Sequence, residues 1–283
     1  MAAVFQRPLL ATEHTEFDTG AERVALALAS RSGVPLSGVV PLVSNPEYEA
    51  LAPQLAANAE HETAMQMMQM REAAQAANVS LELRARRGED PYREVIDEAI
   101  ERRSDLIVIR RRGKRGFLAN LLLGEMVSKV VAHAPCSVLI VPRSAQLWCR
   151  RILVAAEPTA HGRQLVATAT AVAADSALPL ALVCATGNDP AQRRQADAFI
   201  AESMKSAQQA RVSAEGQVLV GKPLAMILEA AARTTADLVV IGSRSDHSIG
   251  RALIGGVAQK VIGLFEYAVL VVHFDKPAER GNG

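Results

Sequence analysis

An internal repeat, with a spacing of roughly 130 to 145 residues, limits the fold of this chain more than any other feature. Three blocks recur in the same order. The first block is a strand followed by a glutamate. The second is a glycine with a nearby proline, followed by a helix and a strand. The third is a glycine followed by a helix and the closing strand. The matched segments are 9–15 with 152–159, 88–109 with 221–241, and 122–141 with 253–272. Three blocks matched in order indicate that one domain was duplicated.

Each copy alternates strands and helices, and its strands are short unbroken apolar runs such as 106–109 and 238–241. Such runs are typical of parallel strands covered on both faces. Helical connections between parallel strands are right-handed, and they place helices on both faces of a doubly wound sheet. We therefore predict an α/β chain of two tandem doubly wound domains, each a five-stranded parallel sheet with helices on both faces.

The domain boundary is predicted near Pro142–Trp148, because the proline follows the last strand of the first copy and the second copy restarts at Arg151. The domains are then 1–146 and 147–283. The linker is short and is not rich in glycine or serine, so the halves are expected to pack on each other.

Bulk composition excludes several classes of protein. A net charge of +1 favours neither nucleic acid nor an acidic partner. The three cysteines are far apart and lack a C-x-x-C motif, which excludes a disulfide framework and suits a reducing compartment. No apolar run approaches the roughly 18 residues that span a bilayer, and the N-terminus has no signal core. We expect a cytoplasmic protein that does not enter membranes.

The closing run of the first copy reads His-Ala-Pro-Cys-Ser-Val-Leu-Ile-Val-Pro over 133–142 and follows a glycine-bearing loop after strand four. This order of elements resembles the universal stress protein family, over essentially the whole chain and twice. The resemblance implies that the last strand of each domain mediates pairing, so that the two halves resemble a dimer within one chain. The edges to be paired are 138–141 and 269–272. Further association into a homodimer, and an unidentified protein partner, are additional expectations.

The resemblance also implies a nucleotide site. In nucleotide-binding members a loop of the form G-x2-G-x9-G-[ST] wraps the phosphates of ATP, and an aspartate after strand one lies near the nucleotide. Both copies here have a glutamate at that position. Glycines let backbone N–H groups approach phosphate, and a helix N-terminus favours an anion. The second copy keeps the spacing, and its candidate residues for ATP or another adenine nucleotide are Glu157, Gly242, Ser245, Gly255 and Gly256.

The first copy departs from this motif. Its candidates are Glu13, Arg110, Gly113 and Gly124, and Glu125 stands where the hydroxyl residue is expected. A carboxylate in the first turn complements the helix dipole and repels an incoming phosphate. We predict a degenerate loop in the first half and a partly retained one in the second. The alternative, for both halves, is a loop that only closes the strand and caps the next helix.

A basic cluster is centred on 110–115, within a segment, 84–115, that holds eleven Lys or Arg and seven Asp or Glu. Guanidinium groups at a ligand edge can capture a small anion or a nucleotide. Nucleic acid is a second interpretation, but no aromatic side chains interleave with the run. The third is intramolecular pairing with Glu125, Glu89 or Glu101.

Four methionines, Met65, Met67, Met68 and Met70, lie in a long helix predicted over 49–77. Methionine adapts to irregular packing, so we interpret them as packing against the sheet rather than as a methionine-rich binding face.

Catalytic residues are not indicated. The six histidines are scattered without metal-ligand spacing, and no nucleophile elbow or P-loop is present. His133 and Cys136 are close in sequence, but they fall at a helix-to-strand turn away from the ligand edge. The leading hypothesis is a stress-response binding protein without catalytic turnover. The alternatives are a scaffold that binds no nucleotide and a weak ATP hydrolase.

Overall fold

The computed structural model describes residues 3–44, 51, 53–111, 124–243 and 254–274. Within these residues the first half contains strands β1 (Pro8–Ala11), β2 (Leu36–Val43), β3 (Leu81–Gly88), β4 (Leu106–Arg110) and β5 (Ser137–Val141). Its helices are α1 (Thr19–Ser32), α2 (Pro53–Ala76), α3 (Pro91–Glu101) and α4 (Glu125–His133).

The described part of the second half repeats this order. Its strands are β6 (Ile152–Ala155), β7 (Leu180–Thr186), β8 (Ala214–Val220), β9 (Leu238–Gly242) and β10 (Ala268–Val272). Its helices are α5 (Ala160–Ser176), α6 (Pro190–Gln209), α7 (Pro223–Thr234) and α8 (Gly256–Leu264). None of the described helices is both long and apolar enough to cross a bilayer.

The strands form one sheet in the order β3-β2-β1-β4-β5-β10-β9-β6-β7-β8. Pairing is parallel within each half, which confirms the prediction of two doubly wound, five-stranded parallel halves. The halves join through an antiparallel pair, β5 with β10, in which Leu139 lies opposite Leu270. This confirms that the two closing strands pair with each other. Because both are used within the chain, these two strands are not open to pairing with a second copy.

Strand alternation divides the core between the two faces of the sheet. In β4, Leu106 and Val108 enter one buried cluster, whereas Ile107 and Ile109 enter the other. All four side chains are at most 2% exposed. This two-sided burial explains why the strand reads as a continuous apolar run instead of an alternating one.

The duplication includes an equivalent set of hydrogen bonds at the start of each half. The Asp105 carboxylate accepts hydrogen bonds from the backbone N–H groups of Gln6 and Arg7, just before β1. Asp237 accepts equivalent bonds from the N–H groups of Arg150 and Arg151, just before β6. In both halves an aspartate that precedes the fourth strand therefore fixes the entry into the first.

The linker between the halves is packed against both of them. Trp148 is 3% exposed, and its Nε1–H donates to the hydroxyl of Ser176 in α5 at 2.9 Å. The guanidinium of Arg31 in α1 lies 5.2 Å from the same indole ring, and Arg23 donates to the carbonyl of Ala145 at 2.8 Å. These contacts agree with the expectation that the halves pack on each other.

The methionines of α2 do not all pack on the sheet. Met70 is 1% exposed and Met67 packs partly against the core, whereas Met65 and Met68 are 43% and 46% exposed. The packing interpretation is therefore right for two of the four, and the other two side chains face solvent.

Candidate functional site

The topology places a crevice at the carboxyl ends of two central strands in each half. β1 and β4 are neighbours in the first half, and β6 and β9 are neighbours in the second. The chain leaves neighbouring strands toward opposite sides at such a switch point, which opens a space for ligands. Cavities of about 270 Å³ and about 170 Å³ lie at these two crevices.

The first crevice contains the side chain of Arg110, the last residue of β4. Its guanidinium donates to Asp18 at 2.5 Å, to the hydroxyl of Thr15 at 2.9 Å and to Glu13 at 2.7 Å. The Arg110 side chain is 8% exposed and the Asp18 side chain 2%. Two carboxylates therefore compensate this cation inside the protein, and it is not an open receptor for phosphate.

A second buried network holds the start of α1 against the end of β1. Glu22 accepts hydrogen bonds from the Thr12 hydroxyl at 2.6 Å and from His14 Nδ1 at 2.9 Å. Thr12 and Glu22 are 2% and 8% exposed. Sequence reasoning singled out Glu13 and missed Thr15, Asp18 and Glu22. The available signal was the dense run of polar residues over 12–22, directly after a buried strand.

The first turn of α4 carries a fixed negative charge. Gly124 precedes the helix, and Glu125 is its first residue. Glu125 is 82% exposed and bonds to Lys129 at 2.8 Å, an interaction that lowers the pKa of the glutamate. The carboxylate is therefore ionised at the place where the helix dipole would otherwise attract an anion. Gly113, the remaining candidate of this half, lies outside the described residues.

In the second crevice the corresponding helix begins with glycines, so its first residues carry no side chain of their own there. Gly255 precedes α8 with backbone angles of −58° and 141°, close to the −57° and 144° of Gly124 before α4. Gly256 thus occupies the position of Glu125, and a Cβ added to it would meet no atom of the described residues within 4 Å. Gly242, the last residue of β9, stands where Arg110 ends β4. Ser245 lies in the segment 244–253, outside the described residues.

Apolar side chains form most of the wall of the second cavity, with contributions from Leu165, Val183 and Ile227. Within the described part of the chain, the polar side chains that line it are Glu157, Thr159 and His161. The His161 ring stacks on Phe274, with ring centroids 4.8 Å apart. The cavity therefore combines an apolar interior with a polar rim and an open helix end.

A glycine sets the close approach of α5 to this rim. A Cβ on Gly162 would lie 1.9 Å from the carbonyl oxygen of Glu157, so a larger residue cannot fit without a backbone shift. The hydroxyl of Thr159 accepts a hydrogen bond from the Gly162 N–H at 3.0 Å and caps the helix.

The described arginines of the basic cluster are largely engaged within the protein. Arg84 and Arg86 both bond to Glu101, at 2.7 Å and 2.9 Å, which confirms intramolecular pairing for this partner. Arg111 reaches into the second half, donating to the carbonyl of Ile262 at 3.2 Å and to that of Phe265 at the end of α8. Burial lowers the pKa of Arg111. Residues 112–115 lie outside the described part of the chain.

The pair formed by His133 and Cys136 does not have the features of a nucleophile and its base. His133 Nδ1 donates to the carbonyl of Lys129 at 2.8 Å, and burial raises the pKa of Cys136 to about 12. Burial likewise raises the pKa of Cys184 to about 11. The described residues contain no group of three or more metal-ligating side chains.

Comparison with known proteins agrees with this architecture. A universal stress protein from Archaeoglobus fulgidus DSM 4304 is 18% identical, with 95% of this chain and 96% of that chain aligned and a TM-score of 0.73. A functionally unknown protein from Pseudomonas aeruginosa PAO1 is 19% identical, with 95% and 92% aligned and a TM-score of 0.69. A universal stress protein in complex with cAMP is 25% identical, with 45% and 99% aligned and a TM-score of 0.40. A search of curated proteins gave no match.

The family model of the universal stress proteins matches this chain twice, over residues 5–142 and 149–273. The two matched segments coincide with the two halves of the sheet and leave out the linker around Trp148. Because the matches cover nearly the whole chain, the protein belongs to the universal stress protein family, as a tandem member.

Proposed function

We propose that this protein is a cytoplasmic stress-response binding protein that holds an adenine nucleotide in its second cavity and does not turn it over. The observation that carries the proposal is the N-terminus of α8 at the edge of that cavity, which begins with glycine and carries no carboxylate. The first N–H groups of a helix lack partners within the helix, so they bind anions well when no side chain covers them. Neither Gly255 nor Gly256 has a side chain that could do so.

The rest of the cavity suits the other parts of a nucleotide. Its apolar wall, including Leu165, Val183 and Ile227, offers a dry surface to a flat base. Glu157 lies at the rim, at the end of β6, where a carboxylate can accept hydrogen bonds from ribose hydroxyls.

The first cavity lacks these properties, which supports assigning the nucleotide to the second half alone. Its buried arginine is already paired with Asp18 and Glu13, and its helix begins with the ionised Glu125. A phosphate entering there would meet carboxylates and find no uncompensated cation on Arg110.

The decisive experiment transfers that carboxylate to the second half. Gly256→Glu reproduces the residue of the first half, and Gly256→Gln is its neutral control of nearly equal size. Both side chains fit the described surroundings, because no atom of the described residues lies within 4 Å of the added Cβ. A carboxylate about 5 Å from a phosphate costs about 3 kcal/mol at an effective dielectric constant near 20. Solvent screening reduces this to about 1–2 kcal/mol, or roughly tenfold in affinity.

Calorimetric titration with ATP should therefore show binding by the natural protein and by Gly256→Gln, and about tenfold weaker binding by Gly256→Glu. Glu125→Gln should leave the affinity unchanged, because the first cavity does not take part. Equal affinities of the two Gly256 variants would refute the location. No binding by the natural protein would refute the nucleotide and favour a scaffold. Steady release of phosphate from ATP would contradict the absence of turnover.

A further inference from the structure

The described sheet ends at β3 on one side and at β8 on the other. An edge strand presents unpaired N–H and C=O groups on which a strand of another chain can form. Since β5 and β10 already pair with each other, these two edges are the places where the sheet can be extended.

Two hydrogen bonds fix which groups of β8 face its neighbour. The N–H of Leu180 donates to the carbonyl of Ser213 at 2.8 Å, and the N–H of Gly221 donates to the carbonyl of Thr186 at 3.0 Å. In a parallel ladder that pairs Leu180 with Ala214, the odd-numbered residues of β8 then bond to β7. The even-numbered residues direct both N–H and C=O away from the sheet. They are Ala214, Gly216, Val218 and Val220.

The opposite edge is protected. The carbonyl of Leu83, which points away from β2 by the same reasoning, accepts a hydrogen bond from the guanidinium of Arg71 at 3.4 Å. Arg87, another residue of β3 whose backbone groups point away from β2, carries a charge and forms an ion pair with Glu60 of α2. Natural proteins block edges with charges in this way. In contrast, none of the four residues of β8 whose backbone groups point outward carries a charge.

We propose that β8 is a self-association strand, through which two copies of this protein pair antiparallel about a two-fold axis at Gln217. In that register Gly216 lies opposite Val218 of the second copy, and Ala214 lies opposite Val220. These outward-facing residues form the hydrogen-bonded pairs, each exchanging two bonds, for about eight main-chain hydrogen bonds in all. A two-fold axis makes the contact self-complementary.

Charge supports this register. Glu215, the only charged residue of β8, lies opposite Leu219, so no carboxylate faces a carboxylate across the axis. The strand has seven residues, and two such strands bury little surface. The dimer is therefore weak and forms with rising protein concentration. This association does not depend on nucleotide binding, so each proposal can fail without the other.

Sedimentation velocity of the full chain, over roughly 1–500 μM, tests the proposal. Val218→Pro removes an outward N–H and no bond to β7, the position at which an edge strand tolerates proline. Val218→Thr is the matched control, because it keeps both the N–H and the branched side chain. We expect a concentration-dependent dimer for the natural protein and the threonine variant, and a monomer with unchanged circular dichroism for the proline variant.

A charge exchange on the axis gives a second test that does not alter the backbone. Arg233 already donates to the Gln217 side chain, so Gln217→Lys concentrates positive charge where the two copies meet. Gln217→Lys alone should lower the dimer fraction, and mixing it with Gln217→Glu should restore dimers that contain one chain of each kind. This test decides the matter if the proline variant fails to fold.

The proposal is overturned if the natural protein stays monomeric up to 500 μM. It is also overturned if a folded Val218→Pro variant dimerises as the natural protein does, or if the two charge variants form no mixed dimer.

Discussion

Replacement of Arg110 by methionine removes the central cation of the first crevice and keeps most of the apolar stem. The guanidinium bonds to Asp18 at 2.5 Å and to Glu13 at 2.7 Å, and the side chains of Arg110 and Asp18 are 8% and 2% exposed. Loss of one partner of a buried ion pair costs about 3–5 kcal/mol, because the other charge remains buried without compensation.

Two features of the site place the expected cost at or just below the lower end of that range. Asp18 keeps hydrogen bonds from the backbone N–H and the hydroxyl of Thr15, at 2.9 Å and 2.6 Å. The Glu13 side chain is 37% exposed and can turn to water. We therefore expect Arg110→Met to lower the free energy of unfolding by about 2–3 kcal/mol.

A double-mutant cycle separates the free-energy cost of leaving the Asp18 charge unpaired from the cost of lost packing. In Asp18→Asn the neutral amide no longer needs a cation, so adding Arg110→Met should cost about 1.5 kcal/mol less than it does alone. Unfolding in urea at pH 7, followed by the fluorescence of Trp148 and by circular dichroism, measures each free energy. The control is Arg93→Met, which breaks an exposed ion pair with Asp90 and should change stability far less than Arg110→Met does.

The reasoning is refuted if Arg110→Met costs no more than Arg93→Met. It is also refuted if the substitutions at 110 and 18 are additive within about 0.5 kcal/mol, because the ion pair would then have no energetic role.

Three smaller experiments test other features of the fold. Gly162→Ala should lower the free energy of unfolding by about 1–3 kcal/mol, because its Cβ would lie 1.9 Å from a main-chain oxygen. Gly256→Ala should leave the free energy of unfolding unchanged or raise it slightly, and urea titration measures both. Arg102 hydrogen bonds lower the pKa of Glu82 to about 2, so its stabilising contribution is present above pH 4.5 and lost as the pH falls toward 2. The thermal midpoint of Glu82→Gln should accordingly approach that of the natural protein at pH 2. At pH 8 a disulfide reagent should label one thiol rapidly, the exposed Cys149, because burial raises the pKa of the other two, and Cys149→Ser should abolish this phase.

The sequence was sufficient to predict the central strands but not the edge strands, and the difference arises from burial. β4 and β9 are covered on both faces, so their residues are continuously apolar and the duplication is visible in them. β3 is an edge strand whose exposed positions include the charged residues Glu82, Arg84 and Arg87 within the run LELRARRG. Its sequence has neither the apolar run of a central strand nor a clear alternation.

The topology rule located the candidate site, but it could not supply its contacts. Residues after the first and fourth strands were expected at one edge, and Glu13 and Arg110 do meet there. The partner that matters most, Asp18, lies 92 residues before Arg110 and belongs to the turn that enters α1. A contact of this kind depends on where the helix begins and how it crosses the sheet, which local patterns do not encode.

The two crevices differ at several positions whose effects depend on one another. A single substitution that copies the second half is therefore not expected to let an anion into the first cavity. Arg110→Gly would copy Gly242 of the second half, but it would leave Asp18 and Glu13 facing each other without a cation. Their charge, with that of Glu125 at the helix start, would repel phosphate more strongly than the intact site does. An anion would be admitted only after the carboxylates were also neutralised. The arginine and its two carboxylates therefore form one interacting unit, and the proposed assignment of the nucleotide to the second half depends on this unit staying intact.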